Sequence, residues 1–396
     1  MKETKFKNTE IGRIPDDWEV RTINSFCSVK TGPFGSVLHA EDYVAKGTPI
    51  VTTEHFKNGI LPLVGKDIPQ VGIEDLKRMS SYTLTKDDIV FSRVGSVDIN
   101  ALVTVRQKGW LFSGRVLRVR PFKQTDSLYL HYGLLKHSVR SDIVSRAVGL
   151  TMASINTKIL GETELSLPPL NEQHRIASAL TSIDNLISSL GKLIEKKKNI
   201  KQGAMQQLLT GQIRLKGFSE PWGEKKLEEV CSVKRGVRVV KRNLTTDSLY
   251  PVYQNTNFPL GYSNQYNVEA NTPFVIIGGS AGQVGICRER YWAADDCAFF
   301  ACHDIYKEYL YYVLLLNQSN ILHNVRTGTI PRLDRSFLSN MVVYISSNID
   351  EQQAIATILN KMDNEITALE AKKAKYEAIK QGMMQQLLTG KIRLIS

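Results

Sequence analysis

By residue type, Cys287, Cys297, Cys302 and His303 are the best candidates in this chain for holding a metal. Their spacing argues against it. A structural zinc site wants paired ligands such as Cys-x-x-Cys, and none occurs here. Cys297 and Cys302 bracket the apolar run CAFFAC, which reads as buried thiols in a strand. His39-Ala40-Glu41 fits the opening of a zinc-deaminase signature, but no Pro-Cys-x-x-Cys follows it. The glycines of GGSAGQVG (278–285) are spaced for neither a Walker loop nor a dinucleotide fingerprint, and suit a tight turn between strands. The Asn/Asp-Pro-Pro-Tyr motif of amino-methyltransferases is absent, and Pro15-Asp16 lacks the Glu-x-Lys partner of a nuclease. The residues offer no catalytic constellation. The expectation is a binding protein, not an enzyme, with no metal or cofactor of its own.

What it would bind is better marked. Among 396 residues, 51 are Lys or Arg and 39 are Asp or Glu, a formal charge of +12. Such a balance points to a polyanionic partner, above all nucleic acid, or else to a merely well-solvated surface. The basic residues cluster. KRGVRVVKRNL (234–244) brings together Lys234, Arg235, Arg238, Lys241 and Arg242. Lys30, Arg93, Arg115 and Arg118 fall in or near predicted strands of the first half. Arg146 and Lys158 precede one long helical segment, and Arg326 and Arg332 precede the other. Guanidinium forks suit both guanine edges and phosphates. About a third of these residues are expected to touch DNA, the rest being solvated charges or ion-pair partners.

The elements that must position them are written twice. KQGAMQQLLTGQIRL (201–215) returns as KQGMMQQLLTGKIRL (380–394), a shift of 179 that holds without a gap back to Asn171 and Asp350. Further upstream the echo weakens: Gly149 faces Gly328, and Tyr129-Leu130 faces Tyr309-Leu310. CSVKTG (27–32) matches CSVKRG (231–236), and Trp18 answers Trp222, now at a shift of 204. The chain is a tandem duplication with shared ends and divergent middles.

The repeated part is a helix. Leu180, Ile183, Ile187, Leu190, Ile194, Ala204 and Leu208 fall at steps of three and four. Leu359, Met362, Ile366, Leu369, Tyr376, Met383 and Leu387 do the same in the second copy. That is a heptad seam, interrupted by Lys197, Lys201, Lys373 and Lys380, and it predicts a two-helix coiled coil with a register device or a wet stretch. Asn171 and Asp350 read as N-caps and the Thr-Gly pairs at 210–211 and 389–390 as C-terminal stops. Each helix would span on the order of 57 Å. The preceding stretches are β-rich, punctuated by Gly, Pro and Asn, with an amphipathic helix near 127–139 and 307–317. The predicted fold is therefore α+β: two similar globules separated by two long helices. The short link KGFSEPW (216–222) favours antiparallel packing, which makes the arrangement pseudo-twofold with a globule at each end of the rod. Five widely spaced cysteines suggest reduced thiols. The N-terminal MKETKFKNTE has no apolar core, and the longest apolar run, YLYYVLLL (309–316), is far too short to span a bilayer. A cytoplasmic location is expected.

TEIGRIPDDWEV (9–20), LPPLNEQHRIA (167–177) and the helix endings LLTGQIRL and LLTGKIRL carry a resemblance over essentially the whole chain. So arranged, the chain resembles the specificity subunits of type I restriction-modification systems. The resemblance implies a first target recognition domain at 1–167, a central spacer and docking helix at 168–215, a second target recognition domain at 216–346 and a C-terminal helix at 347–396. Each globule would read one half of a bipartite double-stranded DNA target, and the length of the helix pair between them suggests half-site centres roughly 10 bp apart. The helices would dock two methyltransferase (modification) subunits, through which restriction/translocase subunits join. S-adenosylmethionine and ATP with Mg would sit on those partners. The off-seam residues Leu186, Leu193 and Leu388 are candidates for the docking surface or for packing under the globules.

Overall fold

The computed structural model describes residues 4–395 except 34–39, 66, 150, 241–243, 246 and 247. It divides into two compact units, one of residues 1–189 with 373–396 and one of residues 190–372. Each unit contains part of both long helices, so neither is a simple sequential half.

In the first unit a four-stranded antiparallel sheet runs Cys27–Thr31, Val116–Pro121, Ile89–Ser92, Asn100–Leu102. The strand Ile89–Ser92 is buried at every position, and its first three residues are apolar instead of alternating. Thr48–Val51 pairs in parallel with Leu111–Phe112 in a second, smaller sheet. Glu19–Thr22 and Glu164–Leu167 pair antiparallel and bring the first strand region back to the root of the long helix. The second unit repeats this plan. Its central sheet runs Cys231–Arg235, Cys297–Cys302, Pro273–Ile276, Val284–Ile286. Tyr250–Tyr253 pairs in parallel with Trp292–Ala293, and Trp222–Lys226 pairs antiparallel with Val342–Ser346. Against each central sheet lies a short apolar helix, Ser127–Leu134 or Lys307–Leu316, with Tyr129, Leu130 and Tyr132 or Tyr309, Leu310 and Tyr312 fully buried. The turn predicted for GGSAGQVG does join two strands, Pro273–Ile276 and Val284–Ile286.

The long helices are Leu170–Leu208 and Ile349–Leu387, 39 residues each. Both begin before the predicted caps. Asn348, not Asp350, caps the second, its Oδ1 accepting from the amide of Glu351 at 3.0 Å. In the first, the carbonyl of Pro169 accepts from Glu172 and Gln173. Both stop where the Thr-Gly pairs stand, with Gly211 at φ +69° and Gly390 at φ +68°, the left-handed conformation that glycine adopts without strain. Within the second unit, Lys197 meets Glu365 at 2.6 Å and Lys201 meets Asp363 at 2.5 Å. Numbers rise on one helix as they fall on the other, so the pair is antiparallel. In the first unit Lys380 meets Asp184 at 2.6 Å, the 179-shifted counterpart of Lys201 and Asp363. The lysines that interrupt the seam are thus register devices, apart from Lys373, which pairs along its own helix with Glu377. Of the seam residues, Leu180, Ile183, Leu190, Ile194, Leu208, Leu359, Ile366 and Leu387 are buried. Ile187, Ala204, Met362, Leu369, Tyr376 and Met383 are partly covered.

Each unit is locked by one buried carboxylate at the root of a helix. Glu172, 2% exposed, accepts from Arg393 Nε and Nη2 at 2.8 Å each, from Trp18 Nε1 at 3.1 Å and from the amide of Leu394 at 3.2 Å. Arg393 also donates to Asp17 at 2.9 and 2.7 Å, and these bonds hold the Asp17 carboxyl below its ordinary range. In the second unit Glu351 accepts from Arg214 at 2.7 and 3.0 Å, from Trp222 Nε1 at 3.0 Å and from Ser346 Oγ at 2.5 Å. Burial pushes the Glu351 carboxyl up, but these donors outweigh it and the net direction is down. The Trp of the opening motif, the Glu of Asn/Asp-Glu-Gln and the Arg of the helix ending are therefore one interaction, made twice.

Candidate nucleic-acid interface

One end of each central sheet gathers the loops that differ between the repeats. In the first unit Gly32 leaves the edge strand there, its amide bonded to the carbonyl of Val116. A Cβ on Gly32 would stand 2.1 Å from the carbonyl oxygen of Ser113, so only glycine fits. Gly236 is its counterpart, bonded to the carbonyl of Cys297 and equally close to that of Ala294. At the same end Arg93 donates its amide to the carbonyl of Arg115, and the turn after it is shaped by Gly95 at φ +82°. In the second unit the amide of Ile277 donates to the carbonyl of Asp296, and Gly279 takes φ +85°.

A loop from further along the chain is stapled to each of these ends. In the first unit Val148 and Ser154 pair with each other, Ile155 donates to the carbonyl of Arg93 at 2.9 Å, and Gly95 donates to that of Ala153 at 2.8 Å. In the second, Arg326 pairs with Arg332, Leu333 donates to the carbonyl of Ile277 at 3.0 Å, and Gly279 donates to that of Pro331 at 3.2 Å. A side-chain cap closes each loop: Asn156 accepts from Ile159 and Asp334 from Ser336. These pairings equate Val148 with Arg326 and Ser154 with Arg332, a shift of 178. That corrects the pairing of Gly149 with Gly328, and Gly149 alone of the two has a positive φ, +116°.

The predicted DNA-contacting residues separate by what already holds them. Arg118 is 6% exposed, lies inside the sheet beside Phe112 and has no partner for its Nε. Burial lowers its pKa, and the expectation that it reaches DNA is corrected: it is a core residue. Arg93 spends its guanidinium on the carbonyls of Gly114 and Ile155, at 2.9 and 3.3 Å. Arg146 ties the carbonyl of Ile159 and the hydroxyl of Thr163 to Asp142 on its own helix. Arg235 donates to the carbonyl of Asp295 at 2.7 Å, and Lys30 to that of Ser81 while covering the ring of Tyr82. Lys158 lies 3.9 Å from Glu162, one helical turn on. Arg115, Lys234 and Arg238 are exposed with no carboxylate within 4 Å among the described residues. Arg326 and Arg332 are exposed too, each only loosely paired at 3.9 Å, with Asp334 and Asp296. Lys241 and Arg242 lie outside the described residues.

Chemistry of another kind is not in evidence. The five cysteines are free thiols, and burial pushes those of Cys231 and Cys302 up to about 12, far from reactivity at neutral pH. Among the described residues no group of three or more His, Cys, Asp or Glu is placed to hold a metal ion. Among them, too, no helix is long and apolar enough to cross a membrane.

Two similar α+β units, each with a glycine-built loop cluster and exposed cations at one sheet end and each holding a stretch of both long helices, mark a duplicated binding protein. The profile of the type I restriction modification DNA specificity domain matches residues 15–202 and again 219–381, and the chain belongs to that family. It is 28% identical over 438 residues to the type I restriction enzyme MjaVIII specificity subunit of Methanocaldococcus jannaschii, covering 99% of this chain and 97% of that one. It is 27% identical to the putative MjaX specificity subunit of the same organism, at 99% and 98% coverage. The crystal structure of a type I S subunit from M. genitalium superposes with a TM-score of 0.68 over 93% of this chain and 96% of that one, at 18% identity, a likeness of fold. The protein is a DNA-recognition subunit of a type I restriction-modification system.

Residue types and spacing did not single out the two stapled loops. The signal was present: Thr151-Met152 and Thr329-Ile330 repeat at a shift of 178, one residue away from the register of the helices.

Proposed function

We propose that the two units each read one half of a bipartite double-stranded target and that the chain itself catalyses nothing. Two methyltransferase subunits, holding S-adenosylmethionine, would dock on its helices, and restriction/translocase subunits with ATP and Mg would join through them. The observation that carries this reading is a cleft made twice. In the first unit a cleft of about 570 Å³ lies between Leu135–Arg140 and the helix ending, lined by Lys380, Gln381, Met384 and Gln385. In the second a cleft of about 540 Å³ is lined by their counterparts Lys201, Gln202, Met205 and Gln206. A surface written twice with the same side chains fits two copies of one partner, whereas the loop clusters differ, as two different half-sites require. Leu186 and Leu193, 37% and 39% exposed, are free to extend that docking surface. Leu388, at 1% exposure, belongs to the core beneath the first globule and forms only the floor of the first cleft.

A base-resolution methylation map tests the reading. Cells carrying this gene with its methyltransferase partner should methylate a split motif around a fixed gap, and a strain lacking only this chain should not. A motif without a gap overturns the bipartite assignment. Gln202→Trp fills one cleft only, so native mass spectrometry should then find one methyltransferase subunit per chain instead of two.

A further inference from the structure

Met152 and Ile330 are large aliphatic side chains standing in water at 59% and 58% exposure. Exposed apolar residues scattered over a surface need no explanation, but these two occupy the same place in the two units. Each follows an exposed threonine, Thr151 or Thr329. Each lies inside a loop closed by a backbone pair, Val148 with Ser154 or Arg326 with Arg332. Each loop is bonded to the turn that follows the neighbouring strand, at Arg93 and the positive-φ Gly95 or at Ile277 and the positive-φ Gly279. The globule middles otherwise diverge, so a repeated apolar tip on a pinned loop calls for a repeated job. Arg326 and Arg332 flank Ile330 with side chains 81% and 61% exposed, each only loosely paired with a carboxylate at 3.9 Å; Val148 and Ser154 take their places in the first unit, where the exposed cation is Arg115, at the sheet end to which the Met152 loop is stapled. A cationic rim around an apolar tip fits a polyanion with an apolar interior, which is duplex DNA. A protein surface would be served by the tip alone.

We infer that Met152 and Ile330 enter the grooves of the two half-sites and contact base edges or an opened base step. The threonine hydroxyls, with Arg326 and Arg332 in the second unit and Arg115 in the first, hold the sugar-phosphate backbone beside each tip. The inference rests on the DNA-recognition role. It adds that the recognition has an apolar part, made by one residue in each unit.

The test uses the complete chain with its methyltransferase partner, and two duplex oligonucleotides. One carries the motif recovered from the methylation map, and the other is a random sequence of equal length. Met152→Ser and Ile330→Ser remove the apolar tip without touching any buried group, and unchanged melting confirms the fold. Each should weaken binding to the motif duplex at least fivefold, leave the random duplex unaffected and leave the slope of log K against log[salt] unchanged, because no phosphate contact is lost. Met152→Leu and Ile330→Leu should restore binding. A smaller loss, an equal loss on the random duplex, or a flatter salt slope overturns the inference. If the wild-type complex does not prefer the motif duplex at all, what has failed is the recognition role itself.

Discussion

The clasp around Glu172 offers the sharpest test of how this fold is held. Arg393→Ala leaves a carboxylate that is 2% exposed with only the Trp18 indole and the Leu394 amide as donors. Removing one partner of a buried ion pair costs about 3–5 kcal/mol, mainly because the remaining charge is stranded away from water. For a unit of some two hundred residues, about 1 kcal/mol moves the melting temperature by about 2–4 °C, so the first unit should melt about 6–20 °C lower. The two sides of the pair should not be equal. In Glu172→Gln, Arg393, itself 8% exposed, keeps its two bonds to Asp17, whose side chain is 52% exposed, so its charge remains compensated. That variant should lose less than Arg393→Ala. The double variant should recover part of the Arg393→Ala loss, since the charge to be stranded is gone. Differential scanning calorimetry of the four chains gives the cycle directly. If Arg393→Ala costs under 1 kcal/mol, or the double variant is no more stable than Arg393→Ala, the buried charge is not what the clasp protects and the reasoning fails.

Other consequences are open to the same instruments. Ala at Gly390 would need φ +68° and would put Cβ 2.3 Å from Pro15 Cγ, whereas Ala at Gly211 would meet Trp222 at 3.3 Å. Both should lose about 1–2 kcal/mol to backbone strain, and Gly390→Ala about 1–3 kcal/mol more to overpacking. His131 is half-buried against Asn100, and the desolvation of its ring, helped by the charge of Lys380, lowers its pKa to about 4. Its folded pKa lies below the unfolded value near 6.5, so the unfolded chain takes up a proton first and stability falls as pH drops from about 6.5 towards 4. His131→Gln should flatten that slope in urea titrations, by about 3 kcal/mol over the whole window. Arg238→Ala and Arg115→Ala should each reduce the salt slope of DNA binding by about one, while Arg146→Ala should lower the melting temperature and leave the slope alone.

What could be read from residues alone follows a physical division. Patterns that repeat within a few positions were legible: the seam, the Thr-Gly stops, the turn in GGSAGQVG. They depend on helix period and backbone conformation, which neighbouring residues dictate. The helix starts were misplaced because their donors are satisfied from outside the expected caps, by Asn348 and by the carbonyl of Pro169. The basic residues were visible as a class but not as individuals. What removes Arg93 and Arg146 from the exposed set is a carbonyl or hydroxyl 13 to 62 residues away, which no local pattern announces. The stapled loops were hidden by register: once the helices had set the shift at 179, the tips at 178 no longer lined up.

The clasps also explain which parts of the duplication stayed alike. Glu172 belongs to the first repeat, but its arginine, Arg393, ends the second. Glu351 belongs to the second repeat, but its arginine, Arg214, ends the first. Each unit is completed by the other repeat's helix ending. A change in LLTGQIRL is therefore felt by the second unit's Trp222 and Glu351, and a change in LLTGKIRL by the first unit's Trp18 and Glu172. The Lys201–Asp363 and Lys380–Asp184 pairs impose the same crossed dependence along the helices. No repeat can change its own ending to suit its own globule, because that globule does not use it. The loop clusters carry no such constraint, since every bond that staples them is made within one repeat. Near identity at the helix endings and divergence at the sheet ends are what this exchange of partners requires.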